Sequence, residues 1–166
     1  MDGRQEPQEF QVVVFSVAGT EFAIPIAVVR EIIAVAKLVS LPDMPSSMVG
    51  IINVRGSILP VIDLRARFAM GGGSIGDGDK QKILLVEVED GMVGFLVDTV
   101  SEVLRISRRS VESLDAIQGL HANVIDSICK LEGRLIPIVN TAQLLTTQET
   151  RQLEEAAKER ATCSAI

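Results

Sequence analysis

The sequence is poor in the residue types that build metal sites and that stack on nucleic-acid bases. Among its 166 residues there are no tryptophans and no tyrosines, one histidine and two cysteines. A zinc site needs about four Cys or His ligands, so His121, Cys129 and Cys163 are too few for a typical metalloenzyme. Cys129 also lies among the apolar residues of the segment 125–131, where we expect a buried and unreactive thiol. We therefore expect no metal and no other cofactor.

The sequence has no excess of positive charge and no long hydrophobic run. The net charge is −6 and the isoelectric point is about 4.8, which argues against nucleic acid as a partner. The longest unbroken apolar run, 22–29, has eight residues and contains a proline, whereas a membrane-spanning helix needs about 20. The polar N-terminus carries no signal-peptide core. We therefore expect a cytoplasmic protein without direct membrane insertion.

Valine and isoleucine are abundant, with 20 and 17 residues respectively. These side chains favour strands, and their short, punctuated runs predict an all-β fold with about ten strands. Six of the strands are predicted at 10–17, 21–25, 49–54, 57–62, 82–89 and 92–97. The spacing within 26–33 predicts a short helix or irregular turn that leads into a strand. The glycine-rich stretch 71–79 is interpreted as a linker rather than a phosphate or calcium loop, and 148–160 as a solvated C-terminal helix.

An internal duplication gives the clearest organisational signal. The segment GSILPVIDL at 56–64 matches GRLIPIVNT at 133–141 with an offset of 77, and VREI at 29–32 matches VSEV at 100–103 with an offset of 71. Each unit therefore has the same plan of about five short strands, and closure into a barrel would remove the exposed edges. The duplication predicts barrel one at about 10–70 and barrel two at about 80–146, and we expect the first strand to cross over and complete the other barrel.

The stretch GIINVRGSILPVIDLR at 50–65 closely resembles the CheW family of chemotaxis coupling proteins. The family pattern there is G-x-x-N-x-R-G-x-[IV]-[ILV]-P-[VI]-[IV]-[DN]-L-R, and every position fits. The resemblance extends over about 10–146, which leaves an N-terminal tail at 1–9 and a helical tail at 147–166. It implies two tandem five-stranded Src-homology-3-like barrels packed around a shared hydrophobic interface.

The resemblance also implies a function without catalysis. CheW-like proteins bridge the cytoplasmic tip of methyl-accepting chemotaxis receptors to the regulatory domain of the histidine kinase CheA, within receptor arrays at the inner face of the membrane. A related non-flagellar pathway, such as pilus motility or second-messenger signalling, remains an alternative. An enzyme is the competing class, but its candidate acids, Glu31, Asp63, Asp98 and Glu102, are dispersed. Asp63 follows a predicted buried strand and is interpreted as a turn or cap residue.

The predicted receptor site is an apolar groove that accepts a helix face. Its candidates are Ile26, Val29, Val100 and Val103, with ordinary core positions as the alternative for each. Glu31 and Arg55 are charged residues in apolar segments, and we predict that they pair beside this groove. The alternative is two independent surface charges. In the second unit Glu31 aligns with Glu102 and Arg55 aligns with Glu132. Two acids cannot form such a pair, so we expect the function to be asymmetric and to reside in barrel one.

The predicted kinase contact lies at the end of a barrel, where exposed apolar residues on short loops can pair with another barrel. Leu38, Leu41 and Gly50 flank a loop with two prolines and are the candidates. The alternative is that these residues are tucked into their own barrel.

Overall fold

The computed structural model describes residues 8–35, 38–43, 47–68, 81–88, 91–114 and 124–141. The strands are β1 (Glu9–Val17), β2 (Thr20–Pro25), β3 (Val29–Ala34), β4 (Met48–Val54), β5 (Ser57–Asp63), β6 (Lys82–Val88), β7 (Gly91–Val97), β8 (Thr99–Ser107), β9 (Val111–Ser113), β10 (Ile125–Leu131) and β11 (Arg134–Val139). One short α-helix, α1 (Leu64–Arg67), and single 3-10 turns at Ile26–Val28 and Arg108–Ser110 complete the described elements. The predicted all-β class is confirmed.

The six strands predicted individually are present, with small shifts at their ends. The prediction for 26–33 is also confirmed, because a 3-10 turn at Ile26–Val28 runs directly into β3. Asp63 is the cap residue it was expected to be: its side chain accepts a hydrogen bond of 2.9 Å from the backbone N–H of Arg65 at the start of α1. The linker predicted at 71–79 and the helix predicted at 148–160 lie outside the described residues.

The strands form two sheets, each of which curls into a small barrel. The six-stranded sheet has the order β8-β1-β2-β11-β10-β9, and the five-stranded sheet has the order β3-β6-β7-β5-β4. Both sheets contain one parallel pairing, between β2 and β11 in the first and between β5 and β7 in the second. The other pairings between the described strands are antiparallel.

The two duplicated units exchange their N-terminal hairpins. The β1–β2 hairpin of the first unit lies between β8 and β11 of the second, and the β6–β7 hairpin of the second unit lies between β3 and β5 of the first. The barrels are therefore not in tandem, and the predicted boundary near 70–80 separates the units but not the sheets. The sixth strand, β9, falls in the part of the second unit where the sequence offset changes from 71 to 77. Pairing with the other unit gives each hairpin two neighbours, which a hairpin alone lacks.

A β-bulge at equivalent positions explains the repeated V-x-E sequence. The pairing of β3 with β6 skips Arg30, and the pairing of β8 with β1 skips Ser101. In a regular strand, residues two apart share a face, but the extra residue of a bulge turns the chain. Val29 and Val100 accordingly pack against the centre of the molecule, while the glutamates that follow form ion pairs with arginines.

Three hydrophobic clusters hold the fold together. One fills the six-stranded barrel and includes Val12, Val14 and Ile138; another fills the five-stranded barrel and includes Val61 and Ile83. The third, here the central cluster, lies between the sheets. Its buried members are Val13, Phe15, Val17, Phe22, Ile24, Ile62, Leu64, Leu84, Val86, Val93, Phe95, Val97 and Val139. Along β1 and β6, successive side chains point alternately into the interior of a barrel and into the central cluster. Both barrels therefore contribute side chains to the central cluster.

Small residues occupy equivalent places inside the two barrels. Ala23 pairs with Ile138 where β2 meets β11, and Gly94 pairs with Val61 where β7 meets β5. A Cβ atom on Gly94 would lie 2.7 Å from the Ile83 side chain and 3.3 Å from that of Val61. The duplication therefore repeats a small residue at both parallel contacts, and at Gly94 the packing of Ile83 and Val61 leaves no room for a side chain.

A polar junction ties the two sheets at the point where the chain crosses between them. Asp98 lies between β7 and β8, and one of its carboxylate oxygens accepts hydrogen bonds from the Ala18 backbone N–H at 2.8 Å and from Arg65 Nη2 at 2.7 Å. Its backbone N–H donates to the Ser16 carbonyl at 2.9 Å. Ala18 belongs to the β1–β2 turn and Arg65 to α1, so this carboxylate connects elements of both sheets.

Candidate partner-binding surfaces

The predicted pairing of Glu31 with Arg55 is present in the structure. Arg55 Nη1 and Nη2 donate to the two carboxylate oxygens of Glu31 at 2.7 and 2.8 Å. This bidentate hydrogen bonding and the charge of Glu31 raise the pKa of Arg55 above its ordinary value. Glu31 lies on β3 and Arg55 follows β4, and these are the two edge strands of the five-stranded sheet. The ion pair thus joins the open edges of that barrel.

The local backbone explains why Arg55 reaches this position. Arg55 and Gly56 form a two-residue turn in which both φ angles are positive, +50° and +87°, which is the type I′ geometry that matches the twist of a hairpin. The side chain of Asn53 accepts a hydrogen bond of 2.9 Å from the Gly56 N–H. Gly56 adopts the positive φ without a steric cost, while Arg55 accepts the less common conformation and points its guanidinium toward β3.

A groove of about 500 Å³ adjoins the ion pair. Val54, Leu59, Leu85 and Met92 provide apolar lining, and the charged residues at its margin include Arg30, which pairs with Glu87 on β6. The Arg55 side chain is 75% exposed and that of Glu31 is 32% exposed. An ion pair this exposed to solvent contributes little to the stability of the fold. What it can do is offer two oriented charges to a partner that binds the neighbouring apolar surface.

In the second unit the residues that align with the pair, Glu102 and Glu132, are both acids, but a nearby arginine contacts Glu102. Glu102, the equivalent of Glu31, lies 3.4 Å from Arg134 Nη2, and Arg134 also donates to Glu21 at 2.8 and 3.3 Å. The hydrogen bond to Glu21 raises the pKa of Arg134. Arg134 lies two residues beyond Glu132, the residue that aligns with Arg55. The sequence comparison missed this cluster because β2 and β11 become neighbours only through the exchange between units.

The six predicted receptor-binding residues occupy several places. Val29 and Val100 are half-buried at equivalent margins of the central cluster, which is the core role weighed as their alternative. Val103 is exposed on β8, as is its equivalent on β3, Ile32. Ile26 is exposed and lines a separate groove of about 440 Å³ in the six-stranded barrel, beside Phe10 and Arg108.

The three predicted kinase-binding residues also differ in exposure. Leu41 is exposed, as expected for a barrel-end contact, and so is Val39, which the sequence analysis did not select. Leu38 is half-buried and packs against the cluster of the five-stranded barrel. Gly50 is buried and offers no contact surface, because the backbone of Val39 lies directly over it. The exposed apolar surface here is therefore formed by Val39 and Leu41.

Gly50 instead has a structural role that can be tested. Val39 and Ile51 exchange backbone hydrogen bonds of 2.9 and 2.8 Å, and a Cβ atom on Gly50 would lie 2.2 Å from the Val39 carbonyl oxygen. We expect Gly50→Ala to lower the free energy of unfolding by about 2 kcal/mol, a typical cost of overpacking, and to expose both amides to hydrogen exchange. Ser57→Ala, at an exposed position of the same hairpin, is the control. Unchanged stability with both amides still protected would contradict this role.

The acids considered as catalytic candidates have structural roles in the structure. The four acids considered for an enzyme site have structural partners: Asp63 caps α1, Asp98 pairs with Arg65, and Glu31 and Glu102 pair with arginines. Within the described ranges, no three His, Cys, Asp or Glu side chains assemble as a metal site. Burial raises the pKa of the Cys129 thiol, which suppresses the reactive thiolate. In the same ranges, no helix has the length and hydrophobicity needed to cross a membrane.

Comparison with known proteins identifies the family. A family model described as the CheW-like domain matches residues 11–149. The chain belongs to the CheW-like family. The chemotaxis protein CheW of Bacillus subtilis (strain 168) is 31% identical over 144 residues, which cover 85% of this chain and 90% of that protein. The chemotaxis protein CheW of Rhizobium meliloti (strain 1021) is 29% identical over 140 residues, which cover 84% and 89%.

A solved structure shows the same fold. The crystal structure of the scaffolding protein TtCheW from Thermoanaerobacter tengcongensis matches with a TM-score of 0.76 and 31% sequence identity, covering 84% of this chain and 96% of that chain. The CheW-like match includes both barrels and the hairpins that they exchange. The predicted family and its two Src-homology-3-like barrels are therefore confirmed.

Proposed function

We propose that this chain is a non-catalytic adaptor that couples methyl-accepting chemotaxis receptors to the histidine kinase CheA. The observation that carries the proposal is the CheW-like match over 11–149, which spans the complete two-barrel body. The relatives are named chemotaxis proteins, and the matched structure is named a scaffolding protein. In this proposal the chain acts at the inner face of the membrane, held there by its receptor partners. A non-flagellar chemosensory pathway is the alternative.

We propose that the receptor tip docks beside the Glu31–Arg55 pair. A helical hairpin presents an apolar stripe flanked by polar side chains, and the groove at this ion pair offers an apolar lining with a charged margin. Val29 adjoins this surface along β3. Val100 and Val103 form the corresponding margin of the second unit, with Ile26 further along the six-stranded barrel.

The proposed kinase surface is the exposed end of the five-stranded barrel around Leu41. Leu41 and Val39 supply apolar side chains that are open to a partner, and Leu38 and Gly50 hold the segment in place from below. This surface is separate from the Glu31–Arg55 pair in its lining residues. Two separate surfaces are what an adaptor needs to hold two partners at once.

A charge-swap cycle on receptor binding tests the proposed receptor site. We expect Glu31→Arg and Arg55→Glu each to weaken binding of a receptor cytoplasmic fragment on the order of tenfold, the loss typical of one important interface side chain. The double variant should recover part of that loss, because it restores a pair of opposite charges. Affinities would be measured by titration calorimetry at constant ionic strength.

The matched control is the exposed pair of Glu112 and Lys130 in the six-stranded barrel. Its single reversals and its swap should leave receptor binding unchanged. Purely additive losses at Glu31 and Arg55 would contradict a role for the pair as a unit, and no loss from either reversal would exclude this surface as the receptor site.

A further inference from the structure

The two duplicated units are joined by strand pairings within each sheet, and not by surface contacts between two separately closed barrels. Four pairings join the units: β1 with β8, β2 with β11, β3 with β6, and β5 with β7. Within a unit the pairings are the local hairpins, together with β9 on β10. Each unit therefore depends on the other for the interior of its sheets.

The central cluster is divided between the units in the same way. The first unit supplies the side chains of β1, β2, β5 and α1, and the second supplies those of β6, β7 and β11. A unit without its complement would expose half of this cluster and the edges of its hairpin, which is unfavourable in water. The surface that completes one unit belongs to the other unit. It has the same sequence whether that unit is in the same copy of the chain or in a second copy.

Only residues 69–80 connect the two units along the chain. We propose that a second copy of this chain is a partner by reciprocal exchange, in which the first unit of each copy assembles with the second unit of the other. Such exchange preserves every pairing described above and creates no new interface. The product is a dimer of two complete two-barrel bodies joined by two copies of 69–80.

The exchanged dimer would be a bivalent form of the protein. Each body would carry one copy of the Glu31–Arg55 surface and one copy of the Leu41 surface, so a dimer could link two sets of partners. The effective concentration of two segments joined by a short linker is in the millimolar range. We therefore expect the exchanged fraction of the chain to be about 1% after refolding at about 10 µM and to approach one half after refolding at about 1 mM.

Paired cysteines in the full-length chain distinguish exchange from surface association. Gln11 and Arg105 are exposed cross-strand neighbours that belong to different units. The variant Gln11→Cys with Arg105→Cys, in a Cys163→Ser background, would be refolded under reducing conditions at both concentrations. The dimer would be isolated by size-exclusion chromatography, oxidised, and run on a denaturing gel without reductant. Exchange predicts a covalent dimer, since each disulfide then joins two chains.

The matched control places both cysteines in one unit. Lys130 and Leu135 are exposed cross-strand neighbours on β10 and β11, so Lys130→Cys with Leu135→Cys should give only monomers on the gel, from either fraction. A Gln11/Arg105 dimer that runs as a monomer would show that the copies associate through their surfaces, which overturns the proposal. The absence of any dimer at both concentrations would overturn it as well.

Discussion

Replacing Phe95 by alanine should lower the free energy of unfolding by about 3–5 kcal/mol, the cost of removing a fully buried aromatic side chain. Phe95 is completely inaccessible to solvent and lies in the central cluster. It pairs with Leu84 on β6 and with Ile62 on β5. Because each sheet contains strands from both units, we expect both barrels to unfold in one transition, measured by denaturant titration with far-ultraviolet circular dichroism and by hydrogen exchange.

Leu135→Ala is the control for the Phe95 variant. Leu135 is 70% exposed, so its truncation should change stability by no more than about 0.5 kcal/mol. A loss below about 1 kcal/mol at Phe95, against the usual cost of such a cavity, would contradict the shared core. So would a variant in which one sheet keeps its amide protection after the other has lost it.

The second large effect is expected at Asp98. Asp98→Ala removes the acceptor for the Ala18 N–H and the charged partner of Arg65, and we expect the free energy of unfolding to fall by about 2–3 kcal/mol. The Asp98 and Arg65 side chains are only 26% and 17% exposed, so water replaces these hydrogen bonds poorly. Denaturant titration of the purified chain measures the loss.

Asp98→Asn separates the hydrogen bonds from the charge. The amide oxygen can still accept from Ala18, so this variant should lose about half as much stability as the alanine variant. The exposed pair of Glu112 and Lys130 provides a control, since Glu112→Ala should have little effect. Equal losses for Asp98→Asn and Asp98→Ala would show that the charge, rather than the hydrogen bond to Ala18, accounts for the stabilisation.

The features that sequence analysis predicted correctly depend on local patterns. Runs of valine and isoleucine located the strands, and the position of Asp63 after a strand indicated a cap. The pairing of Glu31 with Arg55 could be predicted because both are charged residues in largely apolar segments of one unit. Charges in such places must reach solvent or a partner. Glu31 lies on one edge strand of the sheet, β3, and Arg55 follows the other edge strand, β4.

The features that sequence analysis missed depend on contacts between the units. The expected crossover of the first strand is present, since β1 pairs with β8. The exchange of both complete hairpins was not predicted, because duplicated sequences specify the same strands whether each hairpin pairs with its own unit or with the other. The cluster of Arg134 with Glu21 and Glu102 requires β2 to lie beside β11, which is a consequence of that exchange. The burial of Gly50 depends on the approach of the Val39 backbone, which no periodicity encodes.

Co-sedimentation tests the central claim, that this chain joins a receptor to a kinase, most directly. Vesicles carrying the receptor cytoplasmic fragment would be mixed with CheA from the same organism, with and without this chain. We predict that the kinase sediments with the vesicles only when the chain is present. With Arg55→Glu the sedimented amounts of both proteins should fall together, in line with roughly tenfold weaker receptor binding. With Leu41→Asp the chain should still sediment while less of the kinase does. Sedimentation of the kinase to the same extent without the chain, or no sedimentation with it, would contradict the adaptor function.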